Sequence, residues 1–150
     1  MTVRFPYAGP SDGVIDIPSA IRVFAKGGHY YAVDEKGRIF CRDSPTGCIQ
    51  EAVNYAPPFA KVEAFGDFYI TKGIVLSGNP IKLAVYGTIY QNGNFDVLSI
   101  TNYWVGEIEE ITIRGGADKG YTGTGIYIHS STVFGVRFGR VRISNMNGYG

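Results

Sequence analysis

Several things are scarce in this 150-residue chain, and each scarcity excludes something. Formal net charge is only +1 and no basic block occurs, which removes the electrostatic basis for non-specific nucleic-acid binding. No run of about 18 apolar residues exists, so no membrane-spanning helix is expected. The opening MTVRFPYAGPSDG lacks the apolar core of a secretory signal, so an extracellular destination needs a larger particle or another route. Met (2) and Trp (1) are rare, and so is cysteine, at two residues. What is present is glycine (21), aromatic residues (14%) and abundant Val and Ile, the composition of a turn-rich all-β chain. A hydrophobic fraction of 45% over this length suffices for one core of ordinary size.

Cys41 and Cys48 flank a turn-rich RDSPTG segment. Two readings stay open: a disulfide across the turn, or two small apolar residues. No CxxC occurs and only His29 and His129 can assist, so no metal site is expected.

Residues 1–27 read as an N-terminal arm, broken by Pro6, Gly9, Pro10, Gly13 and Pro18. Residues 28–58 read as a hairpin followed by a helix. The apolar runs Tyr30–Val33 and Arg38–Cys41 flank Asp34-Glu35-Lys36-Gly37, a hairpin turn with glycine at the left-handed position. In SPTGCIQEAVNYAPP, Ser44 or Thr46 can cap a helix whose apolar face is Ile49, Ala52, Val53 and Ala56. Pro57-Pro58 ends it. A helix this short needs an apolar surface to lie on.

From residue 59 the pattern becomes short strands that repeat. KVEAFGDFYITKG matches KLAVYGTIYQNG at an offset of about 21, pairing Val62 with Leu83, Gly66 with Gly87 and Tyr69 with Tyr90. IEEITIRG matches FGRVRISN at about 30, pairing Ile108 with Phe138, Ile111 with Val141, Ile113 with Ile143 and Glu110 with Arg140. Stacked strands of this kind, about 4.8 Å apart, bury a continuous inner column. The expected fold class is therefore all-β: a right-handed parallel β-helix over residues 59–150, with an N-terminal hairpin and a short capping helix. The closing turn around Asn145–Gly150 predicts a further coil: either the chain is the N-terminal part of a longer β-helix, or another subunit covers its end.

HYYAVDEKGRIFCRD, the helix CIQEAVNYA, the strand AKVEAFGDFYIT and the later ITIRGG, GTGIYIHSS and VRFGRVRISNMNGYG together resemble pectate-lyase-like right-handed parallel β-helix proteins over roughly residues 28–150. That superfamily includes polysaccharide lyases, glycoside hydrolases and viral tailspikes. The resemblance implies a virion or cell-surface location, polysaccharide as partner and a homotrimeric assembly. The function expected from it is a tailspike-like protein that binds, and if enzymatic degrades, polysaccharide. The alternatives are a non-enzymatic subunit of a spike, filament or capsid, and a secreted polysaccharide lyase or hydrolase.

No catalytic motif is visible. The paired Asp-Asp and Gly-His-Gly of polygalacturonase-like hydrolases are absent, and GGADKGYTGTG lacks the GK[ST] of a phosphate loop. Glycan hydrolysis needs two carboxylates about the scissile bond. Candidates are Glu107, Glu109 and Asp118, with Asp96 and Glu110 nearby in sequence. Residues two apart on a strand share a face, so Glu107 and Glu109 read as an acid/base pair, a Ca2+ site, or simply a solvated edge charge-paired to Arg140. No cofactor is otherwise expected. Trp104, Tyr121 and Tyr127 are the candidates for carbohydrate binding, because sugar rings stack on aromatic faces; packing against a loop or a neighbouring subunit is the competing role.

Overall fold

The computed structural model describes residues 2–4, 14–16, 20–129 and 133–148, the first two stretches as backbone only. Strands β1 (Thr2–Arg4) and β2 (Val14–Asp16) form an antiparallel ribbon. The rest of the chain follows as β3 (Ile21–Lys26), β4 (His29–Val33), β5 (Ile39–Arg42), α1 (Ile49–Tyr55), β6 (Lys61–Phe65), β7 (Phe68–Ile70), β8 (Ile74–Gly78), β9 (Lys82–Tyr86), β10 (Ile89–Gln91), β11 (Leu98–Trp104), β12 (Glu107–Arg114), β13 (Ile126–Ile128), β14 (Val133–Phe134) and β15 (Arg137–Ser144).

The large sheet runs β5-β4-β3-β6-β9-β12-β10-β7, with β15 on the far side of β12. Its β6, β9, β12 and β15 are parallel neighbours, in the registers the repeats predict: Val62↔Leu83, Phe65↔Tyr86, Ile108↔Phe138, Ile111↔Val141. A second sheet aligns β8 with β11, and β11 with β13 and β14, all parallel. Alternation does the sorting. Val62 and Ala64 of β6, Leu83 and Val85 of β9, and Ile108, Ile111 and Ile113 of β12 are fully buried, facing Leu76, Leu98 and Ile100 in the same core. Outside, Phe24, Phe65 and Tyr86 stack across three strands, as Tyr69 does on Tyr90.

The right-handed parallel β-helix expected from the sequence is corrected. The sheets are mixed: β3 runs antiparallel to β4 and β4 to β5, in the same sheet as the parallel strands. The physical reason is the connection. Gly27 and Gly28, both at positive φ, join β3 to β4 in two residues, and so short a link can only return a strand antiparallel. Ile21–Lys26, inside the segment read as an arm, is thus a full strand whose Val23 is buried. The protein is an all-β fold of mixed sheets with one α-helix among the described residues.

The hairpin and helix form a tied unit. Asp34 is buried in its turn and accepts bonds from Lys36 N, Arg38 N and Arg38 Nε. Burial opposes its charge, but the Arg38 bonds outweigh that and hold its pKa below the usual value. Helix α1 buries Ile49, Ala52 and Val53 against β3, β4, β6 and β8. Neither Ser44 nor Thr46 is the N-cap residue itself, which is Cys48 in a left-handed conformation. Their hydroxyls nonetheless accept from Cys48 N (2.8 Å) and Gln50 N (3.2 Å), filling the role of a cap. Cys41 and Cys48 are joined in a disulfide, Cα atoms 5.8 Å apart, stapling β5 to the start of α1.

The core column predicts its own cost of disruption. Ile111→Ala should destabilise the fold by about 2–5 kcal/mol in urea denaturation, because β12 is held on both sides and cannot collapse into the void.

Candidate functional site

The corner where β11 turns into β12 concentrates strain. Val105 has φ of 49° and Asn102 of 45°, and Phe59, facing them, has 65°. Asn tolerates this region, but for a β-branched valine or a bulky phenylalanine it costs of order 1–3 kcal/mol and must be imposed by surroundings. The imposing contacts are visible. Tyr103, fully buried, points its hydroxyl back at Ile81, accepting from Ile81 N (2.8 Å) and donating to Ile81 O (2.9 Å). Burial raises the Tyr103 pKa, so the phenol stays protonated and able to donate. Gly106 abuts the Tyr103 ring so closely that any side chain there would collide with it. On the other side Phe59 N donates to Pro80 O. Val105 and Phe59 are therefore pushed outward, 57% and 72% exposed.

The result is a surface groove in two connected parts. One, of roughly 420 Å³, is lined by Phe59, Gly78, Pro80, Asn102, Trp104 and Val105. The other, of roughly 140 Å³, shares Phe59, Pro80 and Val105 and continues to Lys82 and Glu107. Trp104 is 53% exposed; one side of its indole rests on Phe134, ring centroids 4.6 Å apart, and the ring also lines the groove. At the polar end Glu107 and Lys82, register partners on β12 and β9, form an ion pair at 3.4 Å. The groove thus offers an aromatic platform, an amide and a charged pair.

Of the residues singled out in the sequence, Trp104 lines one part of this groove and Glu107 the other; the others lie elsewhere. Tyr127 pairs across strands with Ser99, five residues from Trp104 and so roughly 16 Å away along β11, and its ring meets His129 edge-on. Tyr121 lies beyond β10, its hydroxyl on Asn92 Oδ1 (3.1 Å). Asp118 sits past the far end of β12 from Glu107, on the order of 23 Å along the strand, and accepts from Asn145 Nδ2 (2.6 Å). That bond holds the Asp118 carboxyl below its usual pKa. The two-carboxylate arrangement of a glycosidase spans about 5–10 Å, which Glu107 and Asp118 cannot meet. Glu109 is taken by Lys61 at 3.1 Å, and Glu110 by Arg140 at 3.6 Å. Glu109 Oε2 is shielded from water and accepts no hydrogen bond of good geometry, so the nearby ammonium is what compensates its charge. Asp96 accepts from Thr124 N.

Alternation puts Glu107 and Glu109 on the outer face, where both pair with lysines, but by itself it does not give the bulge between them and the rest of the strand. The register slips between Ile108 and Glu110, a bulge that sets Glu109 and Glu110 side by side outside the core. The signal was Gly139, its counterpart on β15, where a side chain would strike the Glu109 carbonyl. The strained pair Phe59 and Val105 carries no such mark in the sequence.

Among the described residues, the one cluster of potential metal ligands is Cys41, Cys48 and Glu51, within 4.8 Å of one another. Its two sulfurs are bonded to each other, which leaves one carboxylate. A further cavity of roughly 590 Å³ between the hairpin and β6 is lined by Phe24, Tyr31, Val33, Ile39 and Phe65, with Lys26 its single charge. Among the described residues no helix is long and apolar enough to cross a membrane. No protein-family model matches the chain, and no curated protein or solved structure matches it either.

Two outcomes test the corner. Tyr103→Phe should cost about 1–3 kcal/mol by thermal or urea unfolding, since the Ile81 amide and carbonyl lose their buried partner. For Lys61, burial lowers the pKa but the adjacent Glu109 carboxylate and the Tyr86 hydroxyl outweigh it, leaving the pKa raised above 10.5. Its stabilising contribution is therefore whole below pH 10.5 and lost as pH climbs through the higher folded value. Alkaline unfolding curves of wild type and Lys61→Met should converge there.

Proposed function

We propose that the protein is a carbohydrate-binding protein that holds a glycan chain in the β11–β12 corner groove without cleaving it. The observation that carries this reading is the strained presentation of Val105 and Phe59 beside the exposed Trp104. Backbone strain held by a buried tyrosine, next to an outward aromatic platform, is costly for a surface with no role. Trp104 supplies the apolar face on which a sugar ring stacks. Asn102, Lys82 and Glu107 supply donors and acceptors for hydroxyl groups. The paired charges of Lys82 and Glu107 leave that end close to neutral, which suits an uncharged sugar. Binding without cleavage follows from the carboxylates: among the described residues Glu107 alone lines the groove, and hydrolysis requires two. A purely structural role is the second reading, favoured by the outer aromatic stacks, whose ring faces are largely taken by one another.

Trp104 is the only tryptophan of the chain, so its emission reports groove occupancy directly. Neutral oligosaccharides found on a glycan array should shift or quench that emission saturably. Trp104→Ala should remove array binding, and Tyr69→Ala, an exposed aromatic outside the groove, should retain it. An array with no retained glycan, or equal binding by wild type and Trp104→Ala, overturns the reading.

A further inference from the structure

Among the described residues, strand β15 has a neighbour on one side only. Its backbone pairs with β12 from Arg137 to Ser144, and among the described residues no strand pairs its other edge. The inward positions show what is missing. Ile108, Ile111 and Ile113 of β12, flanked on both sides, are completely buried. Their register partners on β15 are not: Phe138 is 41% exposed, and Val141 and Ile143 are half-buried while packing on the core. The same apolar column therefore runs out into solvent at this edge.

The outward positions say what would fit. Charge changes sign on either side of β12, an acidic strand between basic neighbours. Lys61 on β6 and Lys82 on β9 face Glu109 and Glu107 on β12, at 3.1 and 3.4 Å. On its other side β12 faces β15, where Arg137, Arg140 and Arg142 stand opposite Glu107, Glu110 and Thr112, and Arg140 reaches Glu110 at 3.6 Å. β15 thus presents three arginines, all exposed, and just one of them has a carboxylate within ion-pair distance among the described residues. A strand carrying carboxylates would complement Arg137 and Arg142.

We propose that the free edge of β15 is a docking site for an acidic β-strand of a partner polypeptide. That strand adds in parallel and repeats the chemistry of β12, with carboxylates opposite the arginines and branched apolar residues over Phe138, Val141 and Ile143. Main-chain bonds supply affinity, and the two side-chain faces supply selection. A second copy of this chain is the wrong occupant. Pairing β15 with itself sets arginines against arginines. The other described edges of the two larger sheets, β5, β7, β8, β13 and β14, carry no Asp or Glu.

The test uses the full chain and a synthetic capped peptide, GEIEEITIRG, the sequence around β12, with a second peptide in which lysine replaces its three glutamates. Fluorescence anisotropy should show saturable binding of the acidic peptide, and binding of the lysine peptide about tenfold or more weaker, the effect of three exposed charge pairs. Arg142→Glu lies opposite Thr112 and breaks no ion pair seen here, so it keeps the fold while weakening the acidic peptide. Hydrogen exchange read on β15 should slow when the peptide is added. Equal binding of both peptides, no binding of either, or β15 amides already protected in the chain alone, through self-association or otherwise, each overturns the proposal.

Discussion

The parallel register of β6, β9, β12 and β15 is the constraint from which the other features descend. It places Val62, Leu83, Ile108 and Phe138 in one inward column, and Ile111 over Val141 in another. Once that register holds, outward residues have no freedom of partner. Lys82 must meet Glu107, and Arg140 must meet Glu110. A slip of one residue would turn every inward aliphatic residue to solvent, which is why so short a set of strands keeps a single alignment. The ion pairs ride on this alignment and add little to it, since they are exposed.

The same constraint explains the site. β12 begins in register with β9, so the chain leaving β11 must turn from one sheet into the other within Val105-Gly106. The buried Tyr103–Ile81 bonds hold that corner, and Val105 takes the strained conformation. Trp104 and Val105 are held outward where the corner closes. The groove is therefore formed by the fold itself, rimmed by residues held in place by the corner. At the other end of the sheet the column is closed differently: α1 lies over the apolar ends of β3, β4, β6 and β8, and the Cys41–Cys48 disulfide ties it to β5.

Much of this was legible in the residues. The spacing of apolar positions gives β6, β7, β9, β10, β12 and β15 and their alignments at both offsets, the Asp34–Gly37 turn and the buried face of α1. Two features depart from that reading. The Gly27-Gly28 link adds β3 to the expected hairpin and joins its antiparallel strands to the parallel ones. The three aromatic candidates were grouped by residue type, whereas the strands carry Trp104, Tyr121 and Tyr127 to separate places. Nothing in sequence spacing measures how far apart two strand ends lie.

The sequence by itself determined the local choices: strand or helix, inward or outward, and which strand can lie on which. Alternation and turn chemistry act within a few residues, and repetition reveals alignment. Tertiary structure alone decided the corner. Phe59, Pro80, Lys82, Trp104 and Glu107 come from three separate segments, and they share a groove because register and a buried tyrosine bring them together. Strain at Val105 is likewise a property of closure, since it arises from where the next strand must go and leaves no trace in the valine's own neighbours.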